Sequence, residues 1–264
     1  MKKIKTSVYW KNMESKNKIR IVILAAGKGT RMKSEMPKVL VKLNGKPMIR
    51  HLLDSVHKSN IDEKPIIVVG YKKEEIMKEL GDKYQYVVQE EQLGTGHAVM
   101  SAESILLNNT DNIMVLPSDH PFISPETIKK LSEKHLESGA KITMATTKLP
   151  DFEGWRSAFY TSFSRIVRDE NSKIIKDVQF RDTNEEEKKI TEVNPIYFCF
   201  EAKWLWKKLK TLKTDNDQKQ YYLTDVIKIA MEENQKIESI NIDAHEALAA
   251  NSQEELEILE KLIV

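Results

Sequence analysis

One stretch, LAAGKGTRMKSEMPKVL at residues 24–40, constrains the fold of this 264-residue chain more than any other. An apolar run at residues 19–24 leads into it and stops at Ala25-Ala26-Gly27, which is typical of a buried strand that ends in a loop. Open α/β sheets bind their ligands at such junctions, at the carboxyl ends of the strands. The sequence therefore predicts an α/β fold with a binding loop after its first strand.

The loop has the residues of an anion-binding site. Gly27 and Gly29 can take positive φ and let backbone N–H groups close on an anion. Lys28, Arg31 and Lys38 bring positive charge to the same loop, so we expect a nucleoside triphosphate as its ligand. Because the loop matches neither the P-loop nor the Rossmann glycine pattern, a plain tight turn is the alternative.

Strand and helix patterns alternate after the loop and predict a doubly wound, mainly parallel sheet. The predicted strands are residues 66–69, 84–89, 112–116 and 140–147, and the predicted helices are residues 46–56, 73–80, 95–107 and 125–137. Short β-rich runs at residues 165–168, 174–180 and 193–200 predict an inserted acceptor lobe at about 149–200. Helices at residues 203–212 and 223–232, a strand at 237–242 and a helix from Asn251 complete the predicted elements.

Composition excludes several classes of protein. The 42 basic and 40 acidic residues nearly cancel to +2, so the chain lacks the overall charge of a nucleic-acid-binding protein. No apolar stretch approaches the roughly 18 residues of a membrane span, and the N-terminus has no apolar signal core. The lone Cys199 excludes an internal disulfide and favours a cytoplasmic location. We interpret the lysine-rich residues 1–18 as a basic, solvated extension, with a binding arm as the alternative.

Two strings in the first half resemble the signature of one family. LAAG-x-GTRM with PKVL after it, and QEEQLGTGHAV at residues 89–99, resemble the sugar-1-phosphate nucleotidyltransferases. The likeness is closest to the uridyltransferase domain of the bifunctional N-acetylglucosamine-1-phosphate uridyltransferase/acetyltransferases. The hexapeptide repeats of their acetyltransferase half are absent from this sequence. The resemblance implies a Rossmann-like nucleotidyltransferase domain at residues 19–264 that joins UTP and a sugar-1-phosphate into a UDP-sugar, best UDP-N-acetylglucosamine, with release of pyrophosphate.

The resemblance also implies roles for residues of the first half. Arg31 would bind the triphosphate and the leaving pyrophosphate through forked contacts, and Lys38 would act as a point charge on phosphate in the transition state. Gln89 offers both a donor and an acceptor to the edge of a uracil base. The predicted nucleotide-binding residues are Leu24, Ala25, Ala26, Gly27, Gly29, Gln89, Gln92, Gly94, Thr95 and Ser118.

Asp119 lies just beyond an apolar run that predicts a buried strand, at the sheet edge where the first loop is expected. Most aspartates in such a place act as turn or cap residues, which is one reading here. The resemblance implies a Mg²⁺ ligand instead, because hard oxygen ligands suit that ion. The matching second ligand is Asn251, which is also a good N-cap for the last helix and could have both roles.

The acceptor half departs from the family. Where the family has Gly-Tyr-Gly-Arg, the chain is aligned at Gly154-Trp155-Arg156, and where it has Glu-x-Lys, the chain has Gln179-Phe180-Arg181. The asparagine of Glu-Ile-Asn-Thr-Gly is kept as Asn194, but Thr-Gly is lost. The predicted acceptor-binding residues are therefore Gly154, Gln179, Arg181 and Asn194.

The nucleotide half of the chain matches the family, whereas the acceptor half departs from it. This difference predicts that UTP is preferred while N-acetylglucosamine-1-phosphate is used weakly or replaced by another sugar phosphate. Two alternatives stay open: the same chemistry on another phosphorylated acceptor, and a non-catalytic sugar-nucleotide-binding protein. The sequence contains no extended heptad or interface pattern, so it does not indicate whether the chain is a monomer or an oligomer.

Overall fold

A computed structural model describes residues 18–32, 35–216 and 218–263. Except for Lys18, the predicted basic extension lies outside the described residues. The strands are β1 Ile19–Ala25, β2 Lys42–Leu43, β3 Lys46–Pro47, β4 Ile66–Val69, β5 Gln85–Val88, β6 Asn112–Pro117, β7 Ile142–Lys148, β8 Ser164–Arg168, β9 Ile174–Val178, β10 Glu192–Asn194, β11 Phe198–Glu201 and β12 Ile237–Asn241. The helices are α1 Met48–Ser59, α2 Lys73–Leu80, α3 Thr95–Ser101, α4 Glu103–Leu106, α5 Pro125–Ser138, α6 Glu185–Lys188, α7 Ala202–Leu209, α8 Asp225–Glu232 and α9 Gln253–Leu262.

The first half of the chain forms the parallel part of the central sheet. Strand β1 lies between β4 and β6, and β5 lies beyond β4, all in parallel register, with Val22 opposite both Ile66 and Val115. The carboxyl ends of these four strands therefore meet at one edge. This arrangement confirms the predicted α/β class and places the glycine loop, Gln89 and Asp119 along the same edge.

The second half extends the same sheet with antiparallel strands and with β12, which is parallel to β7. Strand β11 lies between β6 and β7 and is antiparallel to both, and β10, β8 and β9 continue outward from β7. The run predicted at residues 193–200 is thus two strands, β10 and β11. The break falls at Pro195, which has no N–H, and at Ile196, whose φ is +64°.

Helices cover both faces of the sheet, which explains why every residue of β1 except Arg20 is apolar. Side chains alternate along a strand, so Ile21 and Ile23 pack on the face covered by α1 and α5, and Val22 packs on the opposite face with α7 and α8. Residues 95–107, predicted as one helix, form α3 and α4, which meet at Ala102. Within the described ranges, no helix is long and apolar enough to cross a membrane.

Candidate active site

A cleft follows the carboxyl edge of the sheet and consists of two adjoining cavities of about 810 and 850 Å³. Residues from both halves of the chain line it, including Leu24 from β1, Asp119 after β6 and Gln179 after β9. Of the residues predicted for a site, the cleft brings together Leu24, Ala26, Gly27, Gly29, Arg31, Lys38, Gln89, Gln92, Gly94, Thr95, Ser118, Asp119, Gln179, Arg181 and Asn251. The remaining three, Ala25, Gly154 and Asn194, do not line it.

Lys38, Asp119 and Asn251 form the charged centre of the cleft. The Lys38 ammonium donates to Asp119 Oδ2 and, at 2.6 Å, to Asn251 Oδ1. The Asp119 side chain is only 18% exposed. Burial raises the pKa of its carboxyl, but the charge and hydrogen bond of Lys38 outweigh burial and lower the pKa to about 2. A carboxylate oxygen and an amide oxygen thus converge on one cation.

Asn251 reaches this position because the segment before α9 packs on the end of β6, where the Ala250 N–H donates to the Asp119 carbonyl at 3.1 Å. The predicted second role of Asn251, as the N-cap of the last helix, belongs instead to Ser252, whose Oγ accepts from Glu255 N at 3.2 Å. The Asn251 side chain is therefore turned to the cleft and not to the helix end.

Of the two loop glycines predicted to allow positive φ, only Gly29 takes it. Gly29 has a φ of +61°, and a Cβ added there would lie 2.5 Å from Lys38 Cβ. Gly27 is not among the positive-φ residues, and an added Cβ would have no atom within 4 Å. The stem of Lys38 thus passes over Gly29 at a distance that only a glycine permits. Arg31 lies in the next turn, exposed at the cleft.

At the other end of the cleft, Gln89 is held by its neighbours. It is 3% exposed, and its Nε2 donates to the Gly94 carbonyl at 3.0 Å and lies 3.1 Å from His97 Nδ1. Its Oε1 receives no hydrogen bond that the described residues supply. No role was predicted for His97, and the structure makes it an orienting partner of Gln89.

The glycine and threonine of the second motif are positioned by the segment before α8. Gly94 has a φ of +106°, and an added Cβ would lie 2.6 Å from the Tyr221 carbonyl oxygen. The Thr95 hydroxyl accepts from Leu223 N at 3.0 Å. Ser118 links the ends of β6 and β1 in a similar way, because its Oγ donates to the Leu24 carbonyl at 2.6 Å.

The acceptor end contains two of the four predicted residues. Gln179 lines the cleft and donates through Nε2 to Thr224 Oγ1 at 3.3 Å, and Arg181 is exposed in the same wall. Asn194 is only 1% exposed, and its amide is used inside the protein: Nδ2 donates to Asp177 Oδ2 and Oδ1 accepts from Ile196 N, both at 2.7 Å. Gly154 begins an exposed turn outside the cleft.

Sequence reasoning missed the loop that replaces Gly154 at the cleft. Ser162 and Phe163 line it, in the string Ser162-Phe163-Ser164-Arg165. This string has an aromatic residue two positions before an arginine, as in the family's Gly-Tyr-Gly-Arg, and runs directly into β8. The spacing between the aromatic residue and the arginine was the signal in the sequence that could have identified this loop. When the string is aligned with the family's Gly-Tyr-Gly-Arg, serine replaces both glycines.

Arg165 fixes this loop from within the protein. The residue is 0% exposed, and its guanidinium donates to the carbonyls of Phe163 at 2.8 Å and Tyr160 at 2.5 Å. The rings of Phe152 and Phe180 lie 4.7 and 5.1 Å from the guanidinium carbon. Such cation–π contacts stabilise a buried cation that has no carboxylate partner within the described part of the chain.

His120 is a further cleft residue that the sequence left without a role. It is 4% exposed, and its Nδ1 lies 2.9 Å from the hydroxyl of the fully buried Tyr197. Its Nε2 lies 3.8 Å from Asp119 Oδ1. Burial lowers the pKa of His120 to about 4, although the Asp119 charge opposes the effect, so the ring is neutral at neutral pH.

Comparison with known proteins places this chain in a family. The model of the MobA-like NTP transferase domain matches residues 21–226. The bifunctional protein GlmU of Caldicellulosiruptor saccharolyticus is 39% identical over 246 residues, which are 92% of this chain and 51% of that protein. GlmU of Carboxydothermus hydrogenoformans is 41% identical over 241 residues, 91% of this chain and 52% of that protein. The chain spans about half the length of the curated relatives it matches.

Solved structures agree on the fold. UDP-glucose pyrophosphorylase complexed with UDP-glucose superposes with a TM-score of 0.73 at 17% identity, over 93% of this chain and 98% of that chain. The 4-diphosphocytidyl-2C-methyl-D-erythritol synthase of Anaerococcus prevotii superposes with a TM-score of 0.64 at 15% identity, over 94% and 98%.

Proposed function

The chain belongs to the MobA-like NTP transferase family, as a nucleotidyltransferase of the sugar-phosphate type, and from this premise we propose that it transfers a uridylyl group from UTP to a sugar-1-phosphate. A phosphate oxygen of the acceptor attacks the α-phosphorus of UTP. The bond from that phosphorus to the bridging oxygen breaks, and pyrophosphate leaves. The acceptor phosphate has a second pKa near 6, so at neutral pH it is mostly a dianion and needs no general base.

The observation that carries the proposal is the Lys38 ammonium between Asp119 and Asn251, beside the glycine loop. Transfer of a phosphoryl group mainly requires positioning and neutralisation of charge. Lys38 supplies a mobile point charge at the sheet edge, and Arg31 supplies a forked donor for the triphosphate and the leaving pyrophosphate. Gln89, with its nitrogen engaged and its Oε1 open to a donor, is the residue we assign to the uracil edge.

Asp119 and Asn251 are the residues that would hold a divalent cation. Their oxygens already bind the Lys38 ammonium, so the donor set fits a hard cation such as Mg²⁺. When bound, Mg²⁺ would neutralise charge on the transferring phosphate. Lys38 would then be available to phosphate oxygens. An enzyme that uses UTP works where nucleoside triphosphates are present, so a cytoplasmic location goes with this proposal.

The acceptor we propose is a sugar phosphate other than N-acetylglucosamine-1-phosphate, with that sugar used weakly. Three features of the acceptor wall support this choice. Gln179 stands where the family has a carboxylate, the Asn194 amide is occupied by Asp177 and Ile196 N, and the Ile196 side chain stands in the cleft wall where the family has glycine. A UDP-N-acetylglucosamine synthase of unchanged specificity is the alternative.

The test is pyrophosphate release from UTP with a panel of sugar-1-phosphates and Mg²⁺. We expect release with UTP and at least one acceptor, and severe loss of turnover in Asp119→Ala with thermal unfolding little changed. Asp243→Ala, which removes a carboxylate that is 65% exposed and outside the cleft, is the matched control. Binding of UDP-sugars without release for any acceptor would identify a non-catalytic binding protein instead.

A further inference from the structure

The acceptor wall of the cleft contains an isoleucine in an unfavourable backbone conformation. Ile196 lines the cleft and has a φ of +64°, which is a rare value for a β-branched residue. Its N–H donates to Asn194 Oδ1 at 2.7 Å, two residues earlier in the chain. An asparagine oxygen that accepts from the backbone two residues on forms a local turn. The orientation of the Asn194 amide therefore holds Ile196 in the wall.

The other end of the Asn194 amide is held by a carboxylate. Its Nδ2 donates to Asp177 Oδ2 at 2.7 Å, and the Ser164 side chain hydrogen-bonds the same carboxyl. In the sheet, Asn194 lies opposite Ser164, and Asp177 lies opposite the residue two positions further along β8, so these side chains share one face. Because the Ile196 N–H can only donate and a carboxylate can only accept, one orientation of the amide satisfies both neighbours.

Asp177 draws this amide away from the cleft. It lies in β9 two residues before Gln179, which lines the cleft, and two residues span about 7 Å of strand. Asn194 and Asp177 themselves do not line the cleft. The wall thus presents the apolar side chain of Ile196 to the acceptor, while the amide that the sequence predicts for the acceptor is engaged inside the protein.

We propose that Asp177 is a positioning residue that sets acceptor specificity. Through the Asn194 amide it keeps Ile196 in the wall, and the wall then selects a hexose-1-phosphate without an acetamido group. The inference rests on the proposed function, in which the acceptor is a sugar-1-phosphate. An acetamido group has a donor and an acceptor that both need partners when they are buried. The isoleucine side chain pairs with neither, whereas a released asparagine amide offers both.

The test compares the glucose and N-acetylglucosamine compounds on the full chain. Calorimetry gives the Kd of each UDP-sugar, and pyrophosphate release gives kcat and KM for each sugar-1-phosphate. The pH is kept above the pKa of Asp177, which burial raises to about 6, so that the carboxyl is ionised. We expect the wild type to bind and use the glucose compounds better.

Asp177→Leu keeps the shape of the side chain and removes its acceptor atoms. Relative affinity for the N-acetylglucosamine compounds should rise at least about fivefold in Kd and KM, which is the effect of one ordinary hydrogen bond. The KM for UTP should not change. Asp177→Asn is the conservative variant, because its amide oxygen can still accept from Asn194, and it should keep the wild-type ratio.

Asp62→Asn is the matched control for a merely structural effect. Asp62 is also buried and accepts from Ile21 N at 2.8 Å, but it lies near the amino-terminal end of β1, away from the cleft. Its substitution should lower stability and leave the ratio between the two sugars unchanged.

Ile196→Gly keeps the test decisive if Asp177→Leu folds poorly. It removes the side chain from the wall directly, so it should raise the same ratio. In the double variant the two effects should not add, because both changes act through the same wall.

The outcomes separate this inference from the proposed function. An unchanged ratio in folded Asp177→Leu or in Ile196→Gly, in a protein that releases pyrophosphate, overturns the role of Asp177 alone. Equal shifts in Asp177→Leu and Asp177→Asn do the same, and so does binding of neither UDP-sugar. A shifted binding ratio in a protein that releases no pyrophosphate supports the inference and contradicts the transferase reaction.

Discussion

Gly29→Ala should reduce turnover more than any other substitution in the loop that adds one methyl group. An alanine at the Gly29 φ of +61° occupies the left-handed region, at about 1–2 kcal/mol. Its Cβ would lie 2.5 Å from Lys38 Cβ, at the backbone end of the stem where rotation of the outer side chain gives no relief. The Lys38 ammonium must therefore move away from Asp119 and Asn251. We expect at least a tenfold loss of kcat, about 1.4 kcal/mol, beside a loss of stability of about 1–2 kcal/mol.

Gly27→Ala is the matched control, since it adds the same methyl group two residues earlier in the loop. Its φ is not positive and its added Cβ has no neighbour within 4 Å, so the stability of the protein and the position of Lys38 should stay close to those of the wild type. Pyrophosphate release at saturating UTP and Mg²⁺, with urea unfolding of all three proteins, measures both effects. Equal behaviour of the two alanine variants would refute the argument that Gly29 positions Lys38.

Three further predictions address charge. Lys38→Ala and Arg31→Ala should each lower kcat by at least about tenfold, and near-normal rates in both would mean that the loop only shapes the backbone. Gln179→Glu should improve use of N-acetylglucosamine-1-phosphate several-fold, because hydrogen bonds to a charged group contribute about 1.5–3 kcal/mol against about 1 for neutral ones; efficient wild-type use with no gain would contradict the pocket argument. Burial raises the pKa of Asp177 from 3.8 to about 6, so the folded state keeps a proton that the unfolded chain loses, and stability should fall by on the order of 3 kcal/mol as pH rises from about 4 to 6. Asp177→Asn should abolish that fall in pH-dependent urea unfolding, and an unchanged profile would show that the carboxyl titrates normally.

Local patterns in the sequence predicted the elements whose boundaries are set by their own residues. Helix α2 has the predicted bounds, residues 73–80, because charged and apolar positions alternate at helical spacing and Gly81 ends it. The position of β11 between β6 and β7 was not predictable, since pairing partners leave no mark in the periodicity of a strand. The split at Pro195 and Ile196 was missed because an isoleucine rarely takes positive φ.

The site was predictable only where a resemblance joined distant segments. Lys38 lies 81 residues from Asp119 and 213 from Asn251 in the chain, and no spacing rule connects them. Resemblance failed to place the acceptor loop, because the alignment at Gly154 put it on a turn outside the cleft, which Ser162 and Phe163 line instead. The preference of asparagine for N-cap positions also led to a wrong prediction at Asn251. Ser252 is an equally good cap and lies one residue closer to the helix.

The Lys38 ammonium between Asp119 and Asn251 is a built-in counter-ion, and this has a consequence for how ligands arrive. A divalent cation that takes those oxygens exchanges with a charge already in place, so its net affinity is reduced by the loss of that pair. A triphosphate that draws Lys38 to itself removes this penalty. Nucleotide and cation are then thermodynamically coupled, and each must raise the affinity of the other by the same factor. The free chain would thus bind a divalent cation weakly, and its affinity for the cation would rise when the nucleotide is bound.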